Sequence, residues 1–184
     1  MADQERRILR TIEVDDARRE GDAVRLMQLL RHDVLHDATT RRAAIGALGE
    51  LRAAESVELL CGYARSSDEK TRVAAVVALR KIGSATAVDH LVAALSDVDR
   101  VAWAAADALA AIRSKRAVPA LACLLENHDN WWVRRSAAGA LSLIGGRGSV
   151  NALRQAKQSE RNLLRRRSLA RLLRTAEISI LANQ

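Results

Sequence analysis

Apolar residues recur at spacings of three and four along most of the chain, which is the period of a helix buried on one face. Gly83 and Gly145 directly follow apolar stripes, at the position where a helix commonly ends in a left-handed residue. Pro119 falls in the first turn of another stripe, where its missing N–H costs no hydrogen bond. One stripe consists of Val73, Val76, Val77 and Leu79 to Ile82. The pattern predicts an all-helical chain.

Two short motifs alternate and repeat at a nearly constant interval. The first contains an Ala-Leu pair, and its alanines are spaced by 31, 30 and 32 residues: Ala47, Ala78, Ala108 and Ala140. The second is a valine followed three residues later by leucine: Val57, Val88, Val118 and Val150. The polar segments SSDEK and ENHDN supply turns between repeats. Each repeat is therefore predicted to be a helical hairpin, and such hairpins stack because none buries its apolar faces alone.

Residues 22–175 resemble a known class of repeat. Their pattern, V-R-x-x-A-A-x-A-L-x-x-I-G followed by A-V-x-x-L, is similar to the short HEAT-like repeats of phycocyanobilin lyase subunits and of designed alpha-repeat proteins. The resemblance implies a right-handed α-solenoid of stacked helical hairpins with about 31 residues per repeat. The third repeat departs from the pattern, since Ala102 stands where the others have Arg41, Arg72 and Arg134. We expect its polar contact with the neighbouring repeat to be lost or replaced.

The ends of the chain are predicted to be caps of a single HEAT-like domain that spans residues 1–184. Residues 1–36 are assigned to an N-terminal cap and a degenerate repeat, 37–157 to the core repeats, and 158–184 to a partial repeat and cap. Within the last range, LLRRRSLARLLRTAE matches the first helix of a fifth repeat. The following ISILANQ is predicted to be a short tail that covers the last apolar face.

The resemblance also implies which side chains line the concave surface, because the first helix of each repeat contributes fixed positions to it. Carried onto this sequence, these positions include all three tryptophans of the chain. We predict a partner-binding surface composed of Val73, Val77, Arg100, Trp103, Asp107, Trp131, Trp132, Arg135, Arg167 and Arg171.

Tryptophan beside arginine is the composition of an interface hot spot, because both side chains offer large contact area and arginine pairs with carboxylate or phosphate. We therefore place the centre of the surface at Trp103, Trp131, Trp132 and Arg135. The alternative for Trp132 is packing against the neighbouring repeat as part of the core.

The charge of the chain adds a prediction about the partner. The net charge is +8 and the pI is near 10.6. From residue 150 onward, eight arginines and lysines face only Glu160 and Glu177, so this end either touches an acidic surface or is simply solvated. The leading interpretation is a non-enzymatic scaffold that binds a protein or peptide of acidic character.

Two other functions stay open at this stage. The first is nucleic-acid binding, in which arginines neutralise phosphates and tryptophans stack on unpaired bases. Its remote form is a HEAT-type alkylpurine DNA glycosylase, because Trp103 and Asp107 lie one turn apart. The second is a bilin-lyase-like subunit, which the resemblance alone implies. Oligomeric state cannot be read from the sequence.

No catalytic, cofactor or metal site is predicted. His32 and His36 have i, i+4 spacing with Asp33 and Asp37 beside them, but no third ligand motif is visible and Asp37 is expected near a helix N-cap. The His-Glu pairs of a HEAT-type di-iron hydroxylase are absent from the sequence, as are a phosphate-binding glycine loop and a nucleophile elbow.

The remaining features concern the cysteines and the cellular compartment. Cys61 and Cys123 are predicted to be small core residues rather than a disulfide. No segment has the roughly 20 uninterrupted apolar residues of a membrane span, and the charged MADQERRILRTIEVDD lacks the apolar core of a secretory signal. A cytoplasmic protein without a membrane partner is expected.

Overall fold

The computed structural model describes residues 2–31, 35 and 37–181. All regular secondary structure in these residues is helical, as the periodicity predicts. The α-helices are α1 (Ala2–Glu20), α2 (Ala23–Arg31), α3 (Ala38–Glu50), α4 (Val57–Tyr63), α5 (Glu69–Ile82), α6 (Val88–Ala94), α7 (Asp99–Ile112), α8 (Val118–Asn127), α9 (Trp131–Ile144), α10 (Gly146–Ser159) and α11 (Leu163–Leu181).

The helices fall into two compact units, residues 1–87 and residues 88–184. In the first unit, α3 and α4 pack against α5, while α1 and α2 pack against each other and against α3. In the second unit, α7, α9 and α11 pack side by side in that order, with α6 on α7, α8 on α9, and α10 on α8, α9 and α11. Each unit is thus built from helical hairpins in which first helices contact first helices.

The leucines of the two repeating motifs form the centre of each core, because their positions recur on the buried face of successive helices. All eight are fully buried: Leu48, Leu60, Leu79, Leu91, Leu109, Leu121, Leu141 and Leu153. Alanines such as Ala75 and Ala105 are also fully buried, and their small volume allows neighbouring helices to approach closely. The repeats therefore supply the core, as the motif spacing predicts.

Side-chain caps begin several of the first helices, α3, α5 and α9 among them. The backbone N–H of Thr40 donates to the Asp37 carboxylate at 2.8 Å at the start of α3, and the N–H of Thr71 donates to Asp68 at 2.9 Å at the start of α5. Both threonine hydroxyls donate to the same carboxylates. In α9 the cap is Asn130. The expectation for Asp37 is confirmed, whereas His32, Asp33 and His36 lie outside the described residues.

The third repeat makes a polar contact with the next repeat, although it lacks the arginine that the other repeats have at the position of Ala102. Its helix α7 begins after Val98, which offers no side-chain acceptor, and Ala102 is fully buried. The carboxylate of Asp99 instead accepts a hydrogen bond from the Asn130 side chain, the cap of the next first helix, at 2.6 Å. This hydrogen bond joins the third repeat to the fourth.

The segment ISIL is not a separate tail. It continues α11 without a break to Leu181, so the prediction of a short covering tail was wrong for residues 178–181. The physical reason is that neither glycine nor proline interrupts the chain after Glu177. Residues 182–184 lie outside the described part.

The two cysteines differ in environment. Cys61 is buried in α4, where burial raises the pKa of its thiol to about 11. Cys123 is exposed, because it lies on the face of α8 that turns away from Leu121 and Leu124. The prediction of a core position is confirmed for Cys61 and wrong for Cys123. Both thiols are free.

Candidate partner-binding surface

Two large aromatic side chains are exposed on neighbouring first helices of the second compact unit. Trp103 in α7 is 53% exposed, and Trp132 in the first turn of α9 is 68% exposed. The Ser136 hydroxyl donates to the Trp103 carbonyl oxygen at 3.4 Å. Since Ser136 is one turn after Trp132, the two tryptophans lie on adjacent helices at levels about one turn apart.

Other residues of α9 extend the same exposed face. Arg135 and Leu143 are exposed and follow Trp132 at helical spacing. Arg135 forms no ion pair within the described part of the chain. We call the exposed side chains of Trp103, Trp132, Arg135 and Leu143 the tryptophan surface. It combines apolar area with a positive charge.

Helix α7 carries two more of the predicted site residues on the face of Trp103. Arg100 is exposed, and Asp107 is half-buried one turn after Trp103. The structure therefore brings Arg100, Trp103 and Asp107 together on one helix. Arg100 and Asp107 therefore border the tryptophan surface, to which Trp103 belongs, and α7 packs directly on α9.

Trp131 has a different environment from Trp132, although the two are adjacent in sequence. Consecutive residues of a helix differ in direction by about 100°, and Trp131 is half-buried as a result. The Arg165 and Arg134 guanidinium carbons lie 5.0 Å and 5.6 Å from its ring centroid, a cation–π geometry. Trp131 therefore links α9 to α11 and is not part of the tryptophan surface.

A cavity of about 520 Å³ lies beside Trp131. Arg134 is part of its lining and lies 3.6 Å from Glu160, which is also in the lining. The contacts of Trp131 with Arg134 and Arg165 were not predicted from the sequence. Only the i, i+3 spacing of Trp131 and Arg134 was available as a signal, because Arg165 comes from another repeat.

The remaining predicted site residues lie on other helices. Arg167 and Arg171 are exposed on α11, one turn apart, and form no ion pair within the described residues. Helix α11 packs on α9, so these arginines belong to the same compact unit as the tryptophan surface. Val73 and Val77 are half-buried on α5, in the other compact unit.

The repeats of this architecture match a known family. A family model described as HEAT repeats matches residues 23–110 and 99–174, which together span most of the chain. The chain belongs to the HEAT-repeat family. No curated protein matches it.

Two solved structures are similar to this HEAT-repeat chain. The crystal structure of an engineered protein has a TM-score of 0.63 at 24% identity, over 95% of this chain and 89% of that one. The structure of human deoxyhypusine hydroxylase in complex with glycerol has a TM-score of 0.53 at 22% identity, over 92% of this chain and 80% of that one. At these identities the likeness concerns the fold, which is an α-solenoid.

A groove of about 470 Å³ lies along second helices of the HEAT repeats and contains the exposed thiol of Cys123. Its lining also includes Val92, Leu124 and His128. The His128 Nδ1 atom accepts the Asn130 N–H at 3.1 Å, and its Nε2 atom lies 3.6 Å from Asp99. Both ring nitrogens of His128 therefore face polar groups outside the groove lining, Nδ1 the backbone of Asn130 and Nε2 the Asp99 carboxylate.

Among the described residues, no group of three or more His, Cys, Asp or Glu side chains is arranged to hold a metal ion. None of the described helices is both long and apolar enough to cross a membrane.

Proposed function

We propose that this HEAT-repeat chain is a non-enzymatic binding protein that recognises a protein or peptide through the tryptophan surface. HEAT repeats generally mediate protein interactions, and this is the coarse function of the family. The observation that supports the specific surface is the exposure of Trp103 and Trp132 on adjacent helices. Each tryptophan buries about 150 to 250 Å² when it is covered, and such residues dominate interface energetics.

The proposed partner presents carboxylates around an apolar anchor. Arg135 extends into solvent without an ion pair in the described residues, and a carboxylate accepts two parallel hydrogen bonds from one guanidinium. The apolar part of the partner would cover Trp103, Trp132 and Leu143. This mixture of apolar centre and charged border favours a protein over a phosphate backbone.

The absence of catalysis is part of the proposal. It is supported by the engagement of both His128 nitrogens and by the pairing of Arg134 with Glu160 in the cavity beside Trp131. No cofactor is invoked.

The test is quantitative capture of partners on the immobilised chain, from untreated and nuclease-treated extracts of the cells that produce it. Trp103→Ala/Trp132→Ala should reduce the captured protein at least tenfold, in line with truncation of interface hot spots. The matched control is Val24→Ala, which removes a side chain of similar exposure from α2. Equal capture by all three chains would refute the proposal. Binding that nuclease abolishes would favour nucleic acid instead.

A further inference from the structure

The outer face of α11 carries a continuous stripe that no described residue covers. Its members follow at spacings of three and four: Leu164, Arg167, Arg171, Arg174, Ile178 and Leu181. The three apolar members are between 65% and 73% exposed. The three arginines form no ion pair within the described residues, and the nearby Glu177 is engaged by Arg154 at 3.1 Å. We call these six residues the basic stripe.

The outer face of α1 has the same apolar character and the opposite charge. Ile8, Leu9 and Ile12 are between 49% and 64% exposed, opposite the buried Val14 and Ala17. Glu5, Asp15 and Asp16 lie on the same side of the helix by its periodicity. Arg19 is a basic residue on the same side of the helix, and its guanidinium lies 3.6 Å from the Asp16 carboxylate. We call Glu5, Ile8, Leu9, Ile12, Asp15 and Asp16 the acidic stripe.

We propose that the acidic stripe of one copy packs against the basic stripe of a second copy and joins the chains head to tail. The apolar residues of both stripes would lose their contact with water, and this drives association. The arginines of one copy would meet carboxylates of the other. A contact between two basic stripes would instead set three arginines against three, which like-charge repulsion opposes.

The size of the contact predicts weak association. Each helix has 19 residues, so each is about 28 Å long at 1.5 Å per residue. A single helix pair of this length buries less than the roughly 1,200 Å² of a stable interface. We therefore expect weak association that becomes detectable only at high protein concentration. Because the two stripes differ, the contact is heterologous, and a pair of copies still presents one free acidic stripe and one free basic stripe.

Two blocked variants test the arrangement by sedimentation velocity over about a hundredfold range of concentration. Ile8→Lys/Ile12→Lys blocks the acidic stripe, and Arg174→Glu/Ile178→Glu blocks the basic stripe. All four positions are exposed, so circular dichroism should report an unchanged fold. Wild type should form dimers and longer species as concentration rises, whereas each blocked variant alone should remain monomeric.

The decisive sample is the equimolar mixture of the two blocked variants. Each retains the stripe that the other lacks, so the mixture should form a one-to-one dimer that grows no further. A monomeric mixture, a monomeric wild type, or dimers of either blocked variant alone would overturn the proposal. Trp103→Ala/Trp132→Ala should sediment like wild type. Failure of self-association is thus distinguishable from failure of the partner-binding proposal.

Discussion

At the scale of single residues, two glycines of α3 show how closely first helices approach each other. A Cβ atom at Gly49 would lie 2.7 Å from the Cα atom of Ala78 in α5, whereas a Cβ at Gly46 would meet nothing within 4 Å. Glycine at 49 is therefore required by the α3–α5 contact. Glycine at 46 has no such requirement.

We expect opposite stability changes from two alanine substitutions in this helix. Gly49→Ala should lower the free energy of unfolding by about 1 to 3 kcal/mol, because backbone must move to admit the methyl group. Gly46→Ala should raise it by about 0.5 to 1 kcal/mol, because alanine loses less conformational entropy in a helix. Urea unfolding of both variants measures this. Changes of the same sign would contradict the packing described for α3 and α5.

The caps of α3 and α5 predict a dependence of stability on acid pH. The backbone hydrogen bond from Thr40 is the main cause that lowers the pKa of Asp37, and the side-chain hydrogen bond from Thr71 is the main cause that lowers the pKa of Asp68. Both values lie below the ordinary 3.8. Carboxylates whose pKa is lower in the folded state stabilise it above the unfolded pKa, and this contribution is lost as pH falls through the folded pKa.

We therefore expect the stability difference between wild type and Asp37→Asn/Asp68→Asn to favour wild type at neutral pH. The difference should shrink as the pH falls below about 4. Glu55→Gln is the control, because this exposed carboxylate accepts none of these capping hydrogen bonds. A stability difference that is independent of pH, measured by urea unfolding from pH 7 to pH 2, would contradict the assignment of charged caps.

At the scale of helices, the two adjacent tryptophans of α9 differ in role. Trp131 packs between α9 and α11, and Trp132 belongs to the proposed binding surface. Trp131→Ala should lower the free energy of unfolding by about 1 to 3 kcal/mol, because it removes a half-buried ring between α9 and α11. Trp132→Ala should change it by no more than about 0.5 kcal/mol, because that ring is mostly in solvent. Thermal unfolding of the two single variants measures both values. A larger loss for Trp132→Ala would contradict their placement.

The existence and order of the helices could be predicted from the sequence because the same apolar spacing recurs in each repeat. The side of α9 on which Trp131 lies could not be predicted, because its partner Arg165 is 34 residues away in sequence. The resemblance placed Trp131 and Trp132 on one surface, because it carries over surface positions along the helix and gives no information about contacts between side chains. The exposure of Cys123 was missed because α8 has two faces and the motif identifies only the buried one.

At the scale of the whole molecule, the repeat pattern determines the family and leaves the partner open. The family match covers the same repeats that the motif spacing identifies. The resemblance to phycocyanobilin lyase subunits, the single-domain assignment and the identity of the binding residues stay predictions. The side chains that depart most from the repeat pattern are large aromatic residues among alanines, and it is through these that we propose recognition.

The most direct test of the central claim is site-specific photo-crosslinking in the cells that produce the chain. A photoreactive phenylalanine analogue would replace Trp103, Trp132 or, as a control, Val24. We expect one discrete protein adduct from positions 103 and 132, none from position 24, and loss of the adduct when Arg135→Glu is added. No protein adduct from positions 103 and 132, or an adduct of equal yield from all three positions, would contradict recognition through the tryptophan surface.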